Sequence, residues 1–444
     1  MKDTTIWQAY RREVYESFTR GADALFNLAD ALLAESQGKS LAQLSLSPFF
    51  ERKWSSVYEA LEDGKIDVHR LRQAGVRALL ANKGAHDPIC IAVDTSAVKR
   101  DDAHTSEDRG IIHVSNLPLA DKPIAIGWTF SSVVLLPDEP SSWAPILDQA
   151  RVPTSRTPIQ IAIEQLKALR PLLGERPVTV LVDRAYATPE FLRACQQLGY
   201  QVIARIKGNR KLYRPGGVRL HKNGPIPKHG AVFQGKNQQT HGQPEAHVEQ
   251  QDDKGRPIRI SRFGNLHFKE DPTLTVKLIE VCCERATGTK RDPRRSWFVT
   301  LDEHIPLEQI PTRYALRFCV EHAYRFLKQD LLWISAHVRT PEQFERWSWL
   351  VAIAFNQLYL ARDLGLASYH PWERKERPLT PRQVRRVMPT LLSQLGTPAR
   401  PCQPRGNAPG RAVGFHPKPA KRFSVIVKNP KKKKKPAVPL QSSA

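Results

Sequence analysis

The sequence predicts an α/β protein, built on a mixed β-sheet with helices on its faces. Two observations support this prediction. Short apolar runs alternate with amphipathic segments between residues 87 and 208. Two of these runs, residues 89–93 and 178–182, are each followed at once by an aspartate. Short apolar runs that are bounded by turn residues and set between helical patterns are typical of buried strands in an α/β sheet.

The chain is strongly basic. Its 444 residues, enough for one or two globular domains with an appendage, include 68 Lys and Arg against 44 Asp and Glu, a net charge of +24. A basic tail on an ordinary enzyme explains only part of this excess, because residues 398–444 hold 12 Lys and Arg and no acid, which leaves +12 elsewhere. The charge therefore favours a polyanionic partner, and a nucleic acid is favoured over a membrane surface.

Cysteine use and the N-terminus indicate a cytoplasmic protein. The six cysteines form no Cys-x-x-Cys pair and several lie in apolar runs, which predicts reduced, buried thiols rather than disulfides or a zinc site. The N-terminal sequence MKDTTIWQAY lacks the apolar segment of a secretory signal. No uninterrupted apolar run approaches the roughly 18–20 residues of a membrane span.

Residues 1–86 are expected to form an N-terminal helical region. Apolar residues recur there at helical spacing, first at Phe18, Ala22, Leu25 and Leu28 and later at Trp54, Val57 and Leu61. We find no DNA-reading motif in this region. The pattern is equally compatible with a support domain and with a region that contacts DNA.

Residues 87–208 follow the order β-β-β-α-β-α-β. Strands are predicted at residues 89–93, 110–115, 124–136, 178–182 and 201–206. Helices are predicted to begin at Thr157-Pro158 and Thr188-Pro189, where a capping hydroxyl precedes a proline. This order is that of the RNase H-like fold, a mixed sheet flanked by helices, and we take these residues as the first part of such a core.

Residues 209–295 have a different character and are predicted to be an insertion of strands and loops. The stretch is rich in Gly, Pro, Lys, Gln and His, with β-like pieces at residues 258–263 and 274–282. Its histidines are too widely spaced for a zinc site. Strand pattern returns at residues 297–301, so residues 296–368 are expected to form the second part of the core.

The most informative segment is residues 314–328, which predict one amphipathic helix. Tyr314, Arg317, Glu321 and Lys328 fall within an arc of about 60° at 100° per residue, and apolar residues fill the opposite face. A carboxylate among cations on a rigid face suits phosphodiester chemistry. The alternative is an ordinary solvated face, for which Arg317 and Glu321 would form a compensating pair four residues apart.

A second amphipathic helix is predicted at residues 341–364, and a tail follows it. Residues 369–444 are rich in Pro, Lys and Arg and end in a run of lysines at 431–435. We expect this tail to lack the apolar content needed to fold and to remain disordered. It would add non-specific, salt-sensitive attraction to phosphates.

Three carboxylates are candidates for a catalytic site. Asp94 and Asp183 each follow a predicted buried strand, and these strands are expected to lie side by side, with Glu321 reaching the same place from its helix. Three converging acids need compensating cations, and carboxylate-rich sites suit Mg²⁺ or Mn²⁺. Two such ions would support in-line displacement at phosphorus.

These residues resemble a known family, the DDE transposases of bacterial insertion sequences, of the insertion-sequence-four type. The family pattern Tyr-(2)-Arg-(3)-Glu-(6)-Lys matches Tyr314, Arg317, Glu321 and Lys328 without a gap. The segment LVDRAYATPEFL around Asp183 is similar to the family's second-aspartate region. IAVDTSAVK resembles the first, although the double acid often found there is absent. The resemblance covers residues 89–364.

The resemblance implies a cut-and-paste transposase. Asp94, Asp183 and Glu321 would be the catalytic residues and the ligands of two Mg²⁺ or Mn²⁺ ions, and Tyr314, Arg317 and Lys328 would bind DNA. The partner would be double-stranded DNA, namely terminal inverted repeats and target, held by a homodimer associated with the nucleoid. Cleavage would pass through a hairpin, and an aromatic residue of the insertion would stack on an unpaired base, with Phe233 and Trp297 as candidates.

Two other functions remain open at this point. One is a domesticated relative that binds DNA without cutting it, which the intact set of three acids disfavours. The other is a structure-specific nuclease of the same fold, which the accompanying Tyr, Arg and Lys disfavour.

Overall fold

The computed structural model describes residues 4–114, 123–217, 226–284, 292–302, 305–364, 368–403, 410–416 and 418–428. Its first part is helical, as the periodicity predicts. The helices are α1 (Thr5–Ser17), α2 (Ala22–Ala34), α3 (Leu41–Leu44), α4 (Ser55–Asp63) and α5 (Val68–Leu79). A small ribbon of β1 (Phe18–Arg20) and β2 (Lys65–Ile66) lies among them and was not predicted.

A large mixed sheet follows. Its strands are β3 (Ile89–Lys99), β4 (Gly110–His113), β5 (Ile124–Leu135), β6 (Ile146–Val152), β7 (Val178–Val182), β8 (Gln201–Ile206), β9 (Lys211–Pro215), β10 (His229–Gln234), β11 (Ala246–Gln251), β12 (Pro257–Phe268), β13 (Asp271–Cys283) and β14 (Arg294–Thr300). Across the described residues the order is β10-β9-β12-β13-β14-β8-β7-β3-β5-β4, with β11 beside β12 and β6 beside β5. The strands β3, β7 and β8 are parallel, and the pairs around them are antiparallel.

Strand β6 was missed because polar residues interrupt its apolar pattern. Asp148 and Gln149 are buried in the middle of the strand. The Asp148 carboxylate accepts a hydrogen bond from Arg72 of α5 at 2.8 Å, so its burial is compensated by a partner distant in sequence. The local sequence around Asp148 does not reveal that this partner is present.

Helices cover both faces of the sheet. The remaining helices are α6 (Pro158–Leu173), α7 (Pro189–Gln197), α8 (Gln309–Ala315), α9 (Phe318–Gln329), α10 (Pro341–Ala361) and α11 (Pro381–Leu395). Residues of α6 and α7 pack with Val180 and Val182 in one core. Residues of α9 and α10 pack with Ala92 and Leu181 in another, together with the N-terminal helices. The predicted starts at Thr157 and Thr188 act as side-chain N-caps, and Thr340 does the same for α10.

The strands of the predicted insertion extend the same sheet. β14 pairs with β8 in the register Trp297 to Ile206, and β13 and β12 continue outward from β14. The insertion is thus joined to β8, β7 and β3 through continuous hydrogen bonding. The prediction of a β-rich stretch is confirmed in the described part of residues 209–295.

The prediction of an unfolded tail is wrong over residues 381–395, which form α11. Val384, Met388, Leu391 and Leu392 recur at helical spacing and are buried, so the segment has enough apolar surface to pack. The high content of Pro and Arg around it masked this pattern. The lysine run 431–435 lies outside the described residues.

The structure also bears on the expectations about membrane spans and cysteines. None of the described helices is long and apolar enough to cross a membrane. All six cysteines are free, and Cys195, Cys282, Cys283 and Cys319 are buried as predicted, whereas Cys402 is exposed.

Candidate active site

Asp94 and Asp183 lie on adjacent parallel strands. β3 and β7 pair from Ile89 and Val178 to Val93 and Val182, so the two aspartates follow paired residues on strands about 5 Å apart. The prediction that they emerge side by side is confirmed. One detail differs: β3 does not end before Asp94 but runs on to Lys99, paired with β5. Asp94 therefore lies within its strand, at the point where β7 stops.

Both aspartates lie on the face of the sheet that α9 covers. Side chains alternate along a strand, so Asp94 shares a face with Ala92, and Asp183 shares a face with Leu181. Ala92 and Leu181 pack in the same core as Val320 of α9. The sheet and the helix that carries Glu321 thus meet at this point.

The predicted single helix over residues 314–328 is broken. α8 ends at Ala315 and α9 begins at Phe318, and between them the N–H groups of Leu316 and Arg317 bond to carbonyls three residues back. Such bonds tighten the chain, so the rotation of 100° per residue used in the prediction does not hold between Tyr314 and Phe318. The Tyr314 hydroxyl donates to the carbonyl of Val182 at 3.3 Å, and its ring packs against Phe298.

Arg317 forms an ion pair with Asp94. The nitrogen–oxygen distance is 2.7 Å, and the two side chains are 14% and 21% exposed. The other Asp94 oxygen accepts the N–H of Thr95 at 2.8 Å. Arg317, which the sequence predicts to contact a phosphate, is thus paired with Asp94 in the structure.

The three carboxylates influence one another electrostatically. Burial raises the pKa of Asp94, the Arg317 guanidinium opposes that rise, and the negative charges of Asp183 and Glu321 add to it. Asp94, Asp183 and Glu321 in turn raise the pKa of Arg317, against the effect of its burial. The acids that the sequence grouped therefore share one electrostatic environment, with Arg317 among them.

Of two further residues of α9, Tyr324 contacts Asp94 and Lys328 is affected by its charge. The Tyr324 hydroxyl donates to the Asp94 backbone carbonyl at 3.0 Å, and its buried ring stacks on Trp333. Lys328 is half-buried, and burial lowers its pKa while Asp94 opposes that effect. Tyr324 was not predicted to belong to the site, because in sequence it is one more aromatic residue beside the apolar face.

The donor chemistry of the site fits a divalent cation. Carboxylate oxygens suit Mg²⁺ or Mn²⁺. Burial raises the pKa of Asp94, with a smaller contribution from Asp183 and Glu321, and a cation bound there would favour the ionised carboxylate. In the described part of the chain, however, no three His, Cys, Asp or Glu side chains lie close enough together to hold a metal. Binding would thus require Glu321, which is exposed, to approach the two aspartates.

A basic cleft opens beside Asp183. It has a volume of about 630 Å³ and is lined by Asp183, Tyr314 and Arg317. Residues of β8, β14 and the loops after β7, β8 and β10 complete the lining: Arg184, Arg205, Lys207, Lys236, Arg295 and Trp297. Arg295 is paired with Glu280 at 2.6 Å. These cations were not predicted as site residues. The signal available was the basic run RIKGNRK at the end of a predicted strand.

The two aromatic candidates for base stacking are both buried. Phe233 is 0% exposed and Trp297 is 4% exposed. A side chain at Gly235 would place its Cβ 2.7 Å from the Trp297 ring, so the indole packs directly on the backbone of the insertion. In this structure both rings belong to the core.

Comparison with protein families gives a match. Residues 13–264, more than half of the chain, match the family described as DDE superfamily endonuclease. The matched region includes both Asp94 and Asp183 and ends before Glu321. No curated protein matches the chain.

Proposed function

The chain belongs to the DDE superfamily endonucleases, and from this premise we propose that it is the transposase of a bacterial insertion sequence. It would hydrolyse phosphodiester bonds at transposon ends and join them to target DNA. The observation that supports this most directly is the pairing of Val93 with Val182, which sets Asp94 and Asp183 side by side beneath α9.

The acids are proposed as the metal site. Asp94, Asp183 and Glu321 would hold two Mg²⁺ or Mn²⁺ ions, which when bound would activate a water or 3′-hydroxyl and stabilise the leaving oxygen. Arg317 would exchange partners during the reaction. In the structure its guanidinium is paired with the Asp94 carboxylate. A phosphodiester is also an anion that a guanidinium binds through two N–H groups, so it could take the place of Asp94 as the partner.

The basic cleft is proposed to hold the DNA end. Its cations line the space next to Asp183, so a phosphate backbone lying there would pass the catalytic acids. Lys328 and Tyr314 would add contacts from α9 and α8. The insertion-sequence-four type, the RNase H-like description of the core, the homodimer and the association with the nucleoid follow from the resemblance and form part of this proposal.

Two alternatives make different predictions. A domesticated DNA-binding protein would bind duplex DNA and leave it uncut with any divalent ion. A structure-specific nuclease would cut branched or flapped DNA without regard to the ends of an element. Inverted terminal repeats and short direct duplications around the gene would favour the transposase over both.

The decisive experiment uses the full chain and a duplex that carries the DNA flanking its gene. Asp183→Asn is expected to abolish Mg²⁺- or Mn²⁺-dependent cleavage while binding of the same duplex is retained. Asp138→Asn is the matched control, because Asp138 is an exposed aspartate paired only at the surface with Lys83, and it should cleave normally. Cleavage by Asp183→Asn at the wild-type rate would remove Asp183 from the proposed site.

A further inference from the structure

One tryptophan lies on the surface in the connection between α10 and α11. Seven of the nine tryptophans are buried, whereas Trp372 is 77% exposed. Its ring stacks on the His370 imidazole, with ring centroids 4.6 Å apart and an angle of 12° between the planes. The imidazole covers one face of the indole, and the other face is free to stack on a further flat ring. We call residues 368–380 the Trp372 loop.

The exposed ring is held at the tip of a tight turn. The His370 carbonyl accepts the N–H of Glu373 at 3.0 Å, and Pro371 is the first of the two central residues, where its fixed φ favours a turn. The Glu373 carboxylate accepts the N–H of His370 at 2.9 Å. These two bonds fix the backbone on either side of Trp372, so little conformational freedom is lost when a ligand stacks on the indole.

Both ends of the Trp372 loop are attached to the folded core. Arg386 of α11 forms a bidentate pair with Glu373 at 2.6 and 2.9 Å, and it also donates to the Ser368 carbonyl at 3.0 Å. At the other end, the buried indole of Trp143 donates to the Leu379 carbonyl at 2.7 Å. The loop is therefore a fixed part of the surface.

The charge around the exposed ring favours a polyanion. Arg374, Lys375 and Arg377 come shortly after Trp372 and are exposed, and they form no salt bridge with the described part of the chain. Within residues 368–380, Glu373 is paired with Arg386, which leaves Glu376 as the uncompensated acid. Three cations beside an open aromatic face match the phosphates and bases of a nucleic acid strand.

Packing places the Trp372 loop beyond the C-terminal end of α9. Asp330, the C-cap residue of α9, pairs with Arg382 of α11 at 2.7 Å. Arg386, which holds the loop, lies four residues further along α11, about 6 Å along the helix axis. Asp330 itself follows Glu321 by nine residues, about 14 Å along α9. The loop therefore lies outside the basic cleft, at the far end of the helix that borders the candidate active site.

We propose that the Trp372 loop binds single-stranded DNA, with a base stacked on the open face of Trp372 and the neighbouring phosphates bound by Arg374, Lys375 and Arg377. This inference rests on the proposed function, since it takes DNA as the substrate. In a duplex the bases already stack on one another, so an indole that presents its flat face selects unpaired bases. The loop would hold a strand that has been cut or separated from its complement near the active site.

The stacking contact is tested with the full chain, without divalent ions, on a labelled thymidine strand of about 20 nucleotides, which exceeds a site of about 4–16 nucleotides. Trp372→Ala should weaken binding of the strand about fivefold to a hundredfold, as expected for loss of one stacked base, and binding of a blunt duplex of the same length less than about twofold. Trp372→Phe keeps a ring and should recover most of the affinity.

Trp54→Ala is the matched control for the loss of an exposed indole. Trp54 is 66% exposed, but its ring packs against Tyr58 edge to face and lacks the stacked partner and the three following cations of Trp372. The control should bind the strand as the wild type does. An equal loss in the control would mean that the effect is not specific to the Trp372 loop, and it would overturn the inference.

The phosphate contacts are tested by replacing Arg374, Lys375 and Arg377 together with glutamine. The slope of log affinity for the strand against log salt should become less negative by about two, since each phosphate contact on a single strand contributes about 0.7. Trp372→Ala should leave that slope nearly unchanged, because an indole carries no charge and releases no counterions. An unchanged slope in the glutamine variant would exclude these phosphate contacts and contradict the inference.

The remaining outcomes separate this inference from the proposed function. If Trp372→Ala binds the strand as tightly as the wild type does, or loses as much affinity for the duplex as for the strand, Trp372 does not stack on unpaired bases and the inference is wrong, while the proposed function stands. A lower mass of DNA-free Trp372→Ala in light scattering would show that a second copy covers the ring, which also overturns the inference. If the wild-type chain binds neither strand nor duplex, the proposed function itself fails.

Discussion

Replacing Arg317 with glutamine removes the cation that compensates Asp94. The pair has a distance of 2.7 Å, and its side chains are 14% and 21% exposed. A hydrogen bond to a charged group contributes about 1.5–3 kcal/mol, and breaking a fully buried ion pair costs about 3–5 kcal/mol. Because this pair is partly exposed, we expect Arg317→Gln to lower the free energy of unfolding by about 2 kcal/mol near neutral pH.

The deficit should depend on pH in a fixed direction. Arg317 opposes the rise in the pKa of Asp94 that burial causes, so the variant has a still higher pKa at Asp94. Its folded state then takes up protons at a pH where the unfolded chain does not, and its stability falls more steeply than that of the wild type as pH rises. The deficit should therefore be full near neutral pH and shrink as pH falls through the raised pKa of Asp94.

Thermal unfolding of both proteins across this range is the assay. For 444 residues and one cooperative transition, about 2 kcal/mol corresponds to a shift of about 2 °C in Tm. Arg325→Gln is the control, because Arg325 is exposed on the same helix, and its Tm should match the wild type. A deficit that stays constant down to about pH 4, or no deficit near neutral pH, would refute the role assigned to the ion pair.

Three further changes test neighbouring parts of the structure. Tyr324→Phe removes the hydroxyl that donates to the Asp94 carbonyl, and we expect a loss of about 1 kcal/mol of stability and slower cleavage, both measured against wild type. Lys328→Ala should weaken duplex binding and make the salt slope less negative by about one; an unchanged slope would exclude this phosphate contact. Arg385→Met should cost about 2–4 kcal/mol in denaturant unfolding, because the buried guanidinium donates to four carbonyls, whereas the exposed Arg382→Met should cost less than about 1 kcal/mol.

The parts that sequence predicted well are those fixed by local patterns. The strands that precede Asp94 and Asp183 are short apolar runs, and the helix starts at Thr157 and Thr188 follow from capping chemistry, so both could be located before the fold was known. The break after Ala315 was not predictable from local pattern, since residues 312–328 include no Pro or Gly. There Tyr314 is tied to the carbonyl of Val182, and no periodicity records a contact between residues 132 positions apart.

The site itself was predicted as a group of residue types but not as a set of contacts. Helix geometry predicted that Arg317 and Glu321 share a face but not which way that face points, because the ion pair of Arg317 with Asp94 depends on how α9 packs on the sheet. The same holds for the basic cleft, whose cations come from β8, β14 and loops of the insertion. Side chains brought together by sheet pairing are far apart in sequence, so charge patterning alone did not group them.

Two segments that lie far from α9 in sequence, α2 and α11, help to hold the helix that carries Glu321. Arg385 of α11 donates to the carbonyl of Asp330, the C-cap residue of α9, at 2.6 Å. It also donates to the carbonyls of Leu32, Leu33 and Glu35 at the C-terminal end of α2. A buried cation there satisfies carbonyls that two helices leave unpaired and favours the negative ends of both helix dipoles. Since α9 ends on this residue, the position of Glu321 relative to Asp94 depends on α2 and α11. Removing residues 369–444 as a dispensable tail would therefore disturb the candidate active site as well as DNA affinity.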